Sequence, residues 1–128
     1  MKKTKTIIAL FVCVCCLLLL VACTSSPNPE TVAKNLTDDG YIVNSIPASD
    51  TGLGLSLKIN HIKHRITGGK FGTGDDFYSI TINWYTSESK AQSAYEELLE
   101  EMPSSNVYKK GNMVAYGDDE AIEFVKTM

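Results

Sequence analysis

The sequence has few of the residues from which catalytic and metal sites are built. It holds only two histidines, His61 and His64, and no cysteine follows Cys23. It has no Gly-x-Ser-x-Gly elbow of the kind that presents a nucleophilic serine. Most acidic residues fall at predicted helix caps or along one helix face, where paired acid and base groups do not converge. We therefore expect a protein that is not an enzyme, uses no cofactor and binds no metal.

The positions of the cysteines exclude a disulfide from the main body of the protein. Cys13, Cys15 and Cys16 lie within an apolar run, and only Cys23 remains at its end. Small exported domains are often stabilised by disulfides, but a single cysteine has no intramolecular partner. The stability of this domain must therefore come from packing.

A basic start followed by an apolar run is present at the beginning of the chain. Lys2, Lys3 and Lys5 precede an unbroken stretch of apolar residues from 7 to 23. A positively charged start, an apolar stretch and a small residue before the cleavage point are typical of a secretory signal. Residues 1–22 are therefore predicted to be a signal peptide rather than part of the fold.

The residues Leu20-Val21-Ala22-Cys23 resemble the lipobox of bacterial lipoproteins. The resemblance implies a lipidated Cys23 that anchors the mature chain on the extracytoplasmic side of the cell membrane. Residues 23–29 then form the lipidated cysteine and a short tether, whose last six residues reach about 20 Å when extended. The alternative is an uncleaved membrane anchor, because the apolar run approaches the shortest length that spans a bilayer.

The charge of the chain limits the kinds of partner it can have. The whole chain carries 12 Lys and Arg against 15 Asp and Glu, and the part that follows the basic start is more acidic still. Nucleic-acid binding requires clustered Lys and Arg that release counterions from phosphates. We therefore expect no nucleic-acid partner, and we expect the acidic body to be repelled by anionic lipid.

The apolar pattern of residues 30–128 predicts a single α+β domain. The expected architecture is a mostly antiparallel sheet of four to five strands, with helices packed on one face. Predicted strands cover residues 41–46 and 77–86 and the two arms of a hairpin over 107–116 that turns near Gly111. Predicted helices begin at Asn28, Ser87 and Asp118, which are suitable cap residues.

The region between residues 53 and 66 has an irregular apolar pattern. Leu53, Leu55, Leu57 and Ile59 alternate at a period of two, which is typical of a strand. The phase then changes before Ile66. One strand with a bulge, or two short strands, would account for that change.

A second resemblance covers residues from about Phe77 to Phe124. This segment contains a strand, an amphipathic helix, a Lys-Gly-Asn hairpin and the helical run Tyr-Gly-Asp-Asp-Glu-Ala-Ile-Glu-Phe. Its order is similar to that of small uncharacterised lipoproteins of Gram-positive bacteria. Because these motifs are structural, the resemblance implies a fold and an extracytoplasmic location but no reaction.

The polar face of the strand at 77–86 is the main candidate for function. Ser79, Thr81, Asn83 and Tyr85 alternate with apolar residues, and helices on one side of the sheet would leave them open. Hydroxyl, amide and aromatic groups suit contact with a protein or an envelope glycan. We predict a non-catalytic binding or surface-interaction module; a solvated sheet face without a partner is the alternative.

A second hypothesis is a small-ligand or metal-binding lipoprotein that uses His61, His64 and the loop from Gly68 to Asp76. Histidines three apart on a strand point to opposite faces, so one metal binds both only across a bulge or turn. The glycines lack the spacing and the following helix of a phosphate loop. A pocket lined by both His61 and Asp75 would support this hypothesis.

Overall fold

The computed structural model describes residues 25–128, so the predicted signal peptide and Cys23 lie outside the described residues. In chain order the helices and strands are α1 (Pro29–Asp38), β1 (Ile42–Pro47), α2 (Gly52–Ile59), β2 (Ile62–Phe71), β3 (Phe77–Tyr85), α3 (Glu88–Glu101), β4 (Val107–Lys110), β5 (Met113–Gly117) and α4 (Asp119–Val125). A single 3-10 turn, Ser104–Asn106, precedes β4. The predicted α+β class is confirmed.

The five strands form one antiparallel sheet in the order β1-β2-β3-β5-β4. Every neighbouring pair is antiparallel, as predicted. The hairpin of β4 and β5 turns at Gly111 and Asn112, and its arms pair Val107 with Tyr116. Strand β3 is the centre of the sheet, because it contacts β2 on one side and β5 on the other.

The sheet has an apolar cluster on each of its faces. Ile82 and Trp84 of β3 pack with α1 and α4 on one face. Tyr85 of β3 and Val114 of β5 pack with α2 and α3 on the other face. The prediction that all helices pack on one face of the sheet is therefore wrong. Helix α3 packs its apolar side, which begins at Ala91, against the face of β3 that was predicted to stay open.

The predicted cap residues begin the helices in different ways. Asn28 Oδ1 accepts a hydrogen bond from the Glu30 amide at 2.8 Å, and Ser87 Oγ accepts one from the Lys90 amide at 3.2 Å. Asp118 makes no side-chain cap; instead its Oδ2 accepts a hydrogen bond from the Ser79 amide at 2.6 Å. This bond ties the start of α4 to the sheet.

The strand predicted at residues 53–59 is wrong, because these residues form the helix α2. Gly54 and Leu57 lie three residues apart on the buried side of the helix, as helical spacing requires. The alternating leucines therefore do not share one buried face. Neither a bulge in one strand nor two short strands causes the change of phase before Ile66, which is the change from the helix α2 to the strand β2. Strand β2 also has a register shift of its own, between Ile62 and His64.

Candidate functional site

Helices α2 and α3 leave part of one sheet face uncovered. This region, which we call the open sheet face, lies on β1, β2 and β3 and consists of Ile42, Asn44, Thr67, Gly69, Phe71, Phe77, Ser79 and Thr81. These residues share a face because Ile42 pairs with Gly69, which in turn pairs with Ser79. The same holds for the row of Asn44, Thr67 and Thr81.

Three exposed apolar side chains lie at one edge of the open sheet face. Ile42, Phe71 and Phe77 have exposed fractions of 78%, 76% and 52%. The two phenylalanine rings pack edge to face with centroids 5.1 Å apart. A Cβ atom at Gly69 would lie 2.6 Å from the Phe77 ring, so this glycine allows the ring to lie over β2. An exposed apolar patch with polar neighbours is typical of an interaction site.

A shallow groove runs beside these rings. It has a volume of about 250 Å³ and is lined by residues 42–44 and 67–69 together with Phe77. Its floor is backbone and small side chains, because Gly68 and Gly69 lie within β2 rather than in the predicted loop. The glycine-rich segment therefore contributes a flat strand surface, and only residues 72–76 form the turn.

The four residues of the predicted polar face lie in two different environments. Ser79 is exposed and Thr81 is half-buried, and both belong to the open sheet face. Asn83 is only 2% exposed and Tyr85 is also buried, both beneath α3. The expectation of an uncovered surface is therefore wrong for Asn83 and Tyr85. Predicting helices on one side only was the reason for that error.

A second cavity, of about 360 Å³, lies between α3 and the sheet. Arg65 and Asn83 form its base, where Arg65 Nε donates to Asn83 Oδ1 at 2.7 Å. Glu97 and Glu101 of α3 line the opposite wall. Burial raises the pKa of Tyr85, which favours the neutral phenol. Sequence reasoning missed this cavity because it predicted no helix over Asn83.

The histidines do not form a common site. His61 is exposed and has a backbone φ of 61°, whereas His64 is half-buried with its ring 6.0 Å from that of Trp84. Burial lowers the pKa of His64, which disfavours its charged form. Asp75 lies beyond the other end of β2, roughly 30 Å from His61 along the strand. Within residues 25–128, no three His, Cys, Asp or Glu side chains lie close enough to hold a metal ion.

The residues predicted to form the tether contact the domain directly. Ser26 Oγ donates a hydrogen bond to Asn112 Oδ1, and Trp84 Nε1 donates one to the Pro27 carbonyl at 2.8 Å. The free part of the predicted tether is therefore shorter than the sequence suggested. Ser26 is three residues from Cys23, so at most about 10 Å of chain separates them.

Comparison with known proteins gives no information about the function. No protein-family model, curated protein or solved structure matches the chain. In the part of the chain that the structure describes, no helix combines the length and the apolar composition required to cross a bilayer.

Proposed function

We propose that the protein is a lipid-anchored extracytoplasmic module that binds another protein without catalysis. Cys23 carries the anchor, and the open sheet face carries the binding surface. The observation that supports binding is the exposure of Ile42, Phe71 and Phe77 together, next to a groove. Aromatic side chains are enriched in protein interfaces, and burying such a patch is favourable because it removes apolar area from water.

Charge around the open sheet face favours a basic protein partner. Asp75 and Asp76 end the turn between β2 and β3, directly before Phe77. Asp118 reaches the same region, because its carboxylate accepts the hydrogen bond from the Ser79 amide. Complementary charges speed up encounter and select the partner, whereas buried apolar contacts supply most of the affinity.

The small-ligand or metal-binding alternative gains no support from the geometry. His61 and the turn at Asp75 lie at opposite ends of β2. His64 hydrogen-bonds Ser45 and packs against Trp84 on the other face of the sheet. These residues therefore do not line one pocket.

The anchor is tested by replacing Cys23 with Ala in the cells that make the protein. The Leu20 to Cys23 pattern predicts that Cys23→Ala leaves the chain unprocessed or releases it from the membrane fraction. Mass spectrometry of the native protein should find Cys23 acylated as the first residue. Normal processing and membrane retention of the variant would contradict lipidation.

The binding surface is tested by photo-crosslinking in intact cells. A photoreactive residue placed at Phe71 should form a discrete protein adduct, and the same residue at Leu99, an exposed apolar position on α3, is the matched control. The double substitution Asp75→Lys and Asp76→Lys should weaken the adduct at Phe71 because it reverses the charge. An adduct equal at both positions would contradict the proposal, and an adduct removed by a glycosidase would indicate a glycan partner instead.

A further inference from the structure

The two ends of the sheet differ in their relation to Cys23. At one end of the sheet, the first residues of β2 and β5 lie beside the last residues of β3. There the Thr86 amide donates to the His61 carbonyl at 2.8 Å, and the Tyr85 amide donates to the Asn112 carbonyl at 2.8 Å. Ser26 hydrogen-bonds Asn112, so we call this end the tether end. The other end, which carries Phe71 and Phe77, we call the distal end.

Helix α2 lies at the tether end and exposes apolar side chains. It connects the last residue of β1 to the first residue of β2, and the Ala48 amide donates to the Lys63 carbonyl at 2.9 Å beside it. Leu53 is 72% exposed and Ile59 is 67% exposed, and Leu55 is exposed as well. Only one leucine of this helix, Leu57, is buried. The packing of the domain therefore does not explain why α2 is so apolar.

Charge is distributed unevenly between the two ends. The lysines at the tether end are Lys58, Lys63, Lys90, Lys109 and Lys110, and the acidic residues there are Glu30, Asp50 and Glu88. Two of the lysines are paired, Lys58 with Asp50 and Lys109 with Glu88. At the distal end the acidic residues are Asp38, Asp39, Asp75, Asp76, Asp118, Asp119 and Glu120, and the basic residues beside them are Lys34, paired with Asp38, and Lys70, paired with Asp39. The tether end is thus the less acidic end of an acidic domain.

From this arrangement, and resting on the proposed lipid anchor, we propose that the tether end lies against the surface of an anionic bilayer. Leu55 and Ile59, four residues apart on the side of α2 opposite Gly54 and Leu57, enter the boundary between headgroups and acyl chains, and Lys63 and Lys110 meet the lipid phosphates. An apolar helix face flanked by lysines is the usual composition of an interfacial segment. Lysines close to an anionic surface add attraction that fades within a Debye length.

The short connection to Cys23 keeps the tether end close to the bilayer in a lipidated chain. The acyl chains of Cys23 sit within the bilayer, and Ser26 is held to the tether end about 10 Å or less from that residue. The domain therefore stands on its tether end. Strand β3 has nine residues, which at about 3.3 Å each is roughly 30 Å, so Phe71 and Phe77 face away from the membrane.

Site-directed spin labelling of the lipidated protein tests this orientation. The mature lipoprotein is placed in vesicles of phosphatidylcholine and phosphatidylglycerol, with a single new cysteine at Ile59 or at Phe71. The acylated Cys23 does not react with the label. We expect the ratio of oxygen collision to collision with a water-soluble nickel chelate to be several-fold higher at residue 59 than at residue 71. Omitting phosphatidylglycerol should lower the ratio at residue 59.

Charge variants supply a matched control for the same measurement. Lys63→Glu should lower the ratio at residue 59, whereas Lys34→Glu, on the exposed side of α1, should leave it unchanged. Equal ratios at residues 59 and 71, or a higher ratio at 71, would overturn the orientation while the anchor stands, provided that mass spectrometry finds Cys23 acylated. A chain without acyl groups on Cys23 would overturn the anchor and this inference together.

Discussion

The close approach of β5 to β3 at Gly117 leads to a sharp prediction about stability. Gly117 pairs with Ile80 and has a φ of 155°. A Cβ atom at this position would overlap the Ser79 carbonyl oxygen and lie 2.9 Å from the Ile80 Cα atom. Both neighbours are backbone atoms, so no side chain can rotate away. Gly117→Ala therefore requires the two strands to separate locally.

The cost of this change follows from two separate effects. Overpacking within a tight structure costs about 1–3 kcal/mol, and a strained backbone conformation adds about 1–2 kcal/mol. Separating the strands also disturbs the hydrogen bond from the Ser79 amide to Asp118 and that from Asn106 Nδ2 to the Gly117 carbonyl. We expect Gly117→Ala to reduce the free energy of unfolding by about 2–5 kcal/mol, a large part of the ~5–15 kcal/mol of a typical domain.

A second glycine provides the matched control. Gly74 has a φ of 71°, but a Cβ atom there would meet no atom within 4 Å. Gly74→Ala should therefore cost only the conformational strain, about 1–2 kcal/mol. Urea unfolding followed by the fluorescence of Trp84, the single tryptophan and a buried one, measures both. If Gly117→Ala lost no more stability than Gly74→Ala, the close approach of the strands would be refuted.

Two further predictions concern the core and the response to pH. Ile82→Ala, at a fully buried position, should cost about 2–5 kcal/mol in urea unfolding, whereas Leu99→Ala, 37% exposed, should cost under about 0.5 kcal/mol; similar losses would contradict the assigned core. Burial lowers the pKa of His64 below its ordinary 6.5, so the unfolded chain binds more protons. The free energy of unfolding should therefore be insensitive to His64 above pH 6.5 and should decrease as the pH falls below that value, because protonation of His64 favours the unfolded chain. Melting temperatures of His64→Gln should lack this decrease, and those of the exposed-site control His61→Gln should keep it.

Most of the secondary structure could be predicted because local chemistry determined it. The hairpin turn at Gly111 and Asn112 and the caps at Asn28 and Ser87 depend on residues that lie next to each other in the chain. Strand β3 could be predicted because its apolar residues alternate over its whole length. In each of these cases the local preference and the final packing agree, as is typical of natural sequences.

The helix α2 could not be predicted because its sequence fits two structures. Leu53, Leu55, Leu57 and Ile59 satisfy the period of a strand, and Thr51, at the N-cap, makes no capping hydrogen bond with its side chain. The usual rule that apolar residues are buried failed here, since only one leucine of α2 lies in the core. Helices are recognised in a sequence by apolar residues that recur on one buried side, so a helix with exposed leucines does not show that spacing.

The open sheet face was predicted only in part, for a reason that depends on packing. Ser79 and Thr81 were identified from the alternation along β3. Whether Asn83 stays open depends on where α3 packs, and the apolar stripe of α3 does not specify which sheet face it covers. Phe71 and Phe77 were missed, although two phenylalanines that flank a glycine-rich turn are a usable signal for a cross-strand aromatic pair.

The orientation we propose differs from what the net charge of the chain predicts at a membrane. An acidic total predicted repulsion from anionic lipid, but the repulsion acts only over a Debye length of about 8–10 Å. The sheet is roughly three times as long, so the acidic residues near Phe71 and Phe77 are screened from a surface at the tether end. In the orientation we propose, Lys63 and Lys110 lie nearest the lipid phosphates, and the acidic distal end favours this upright orientation over a flat one.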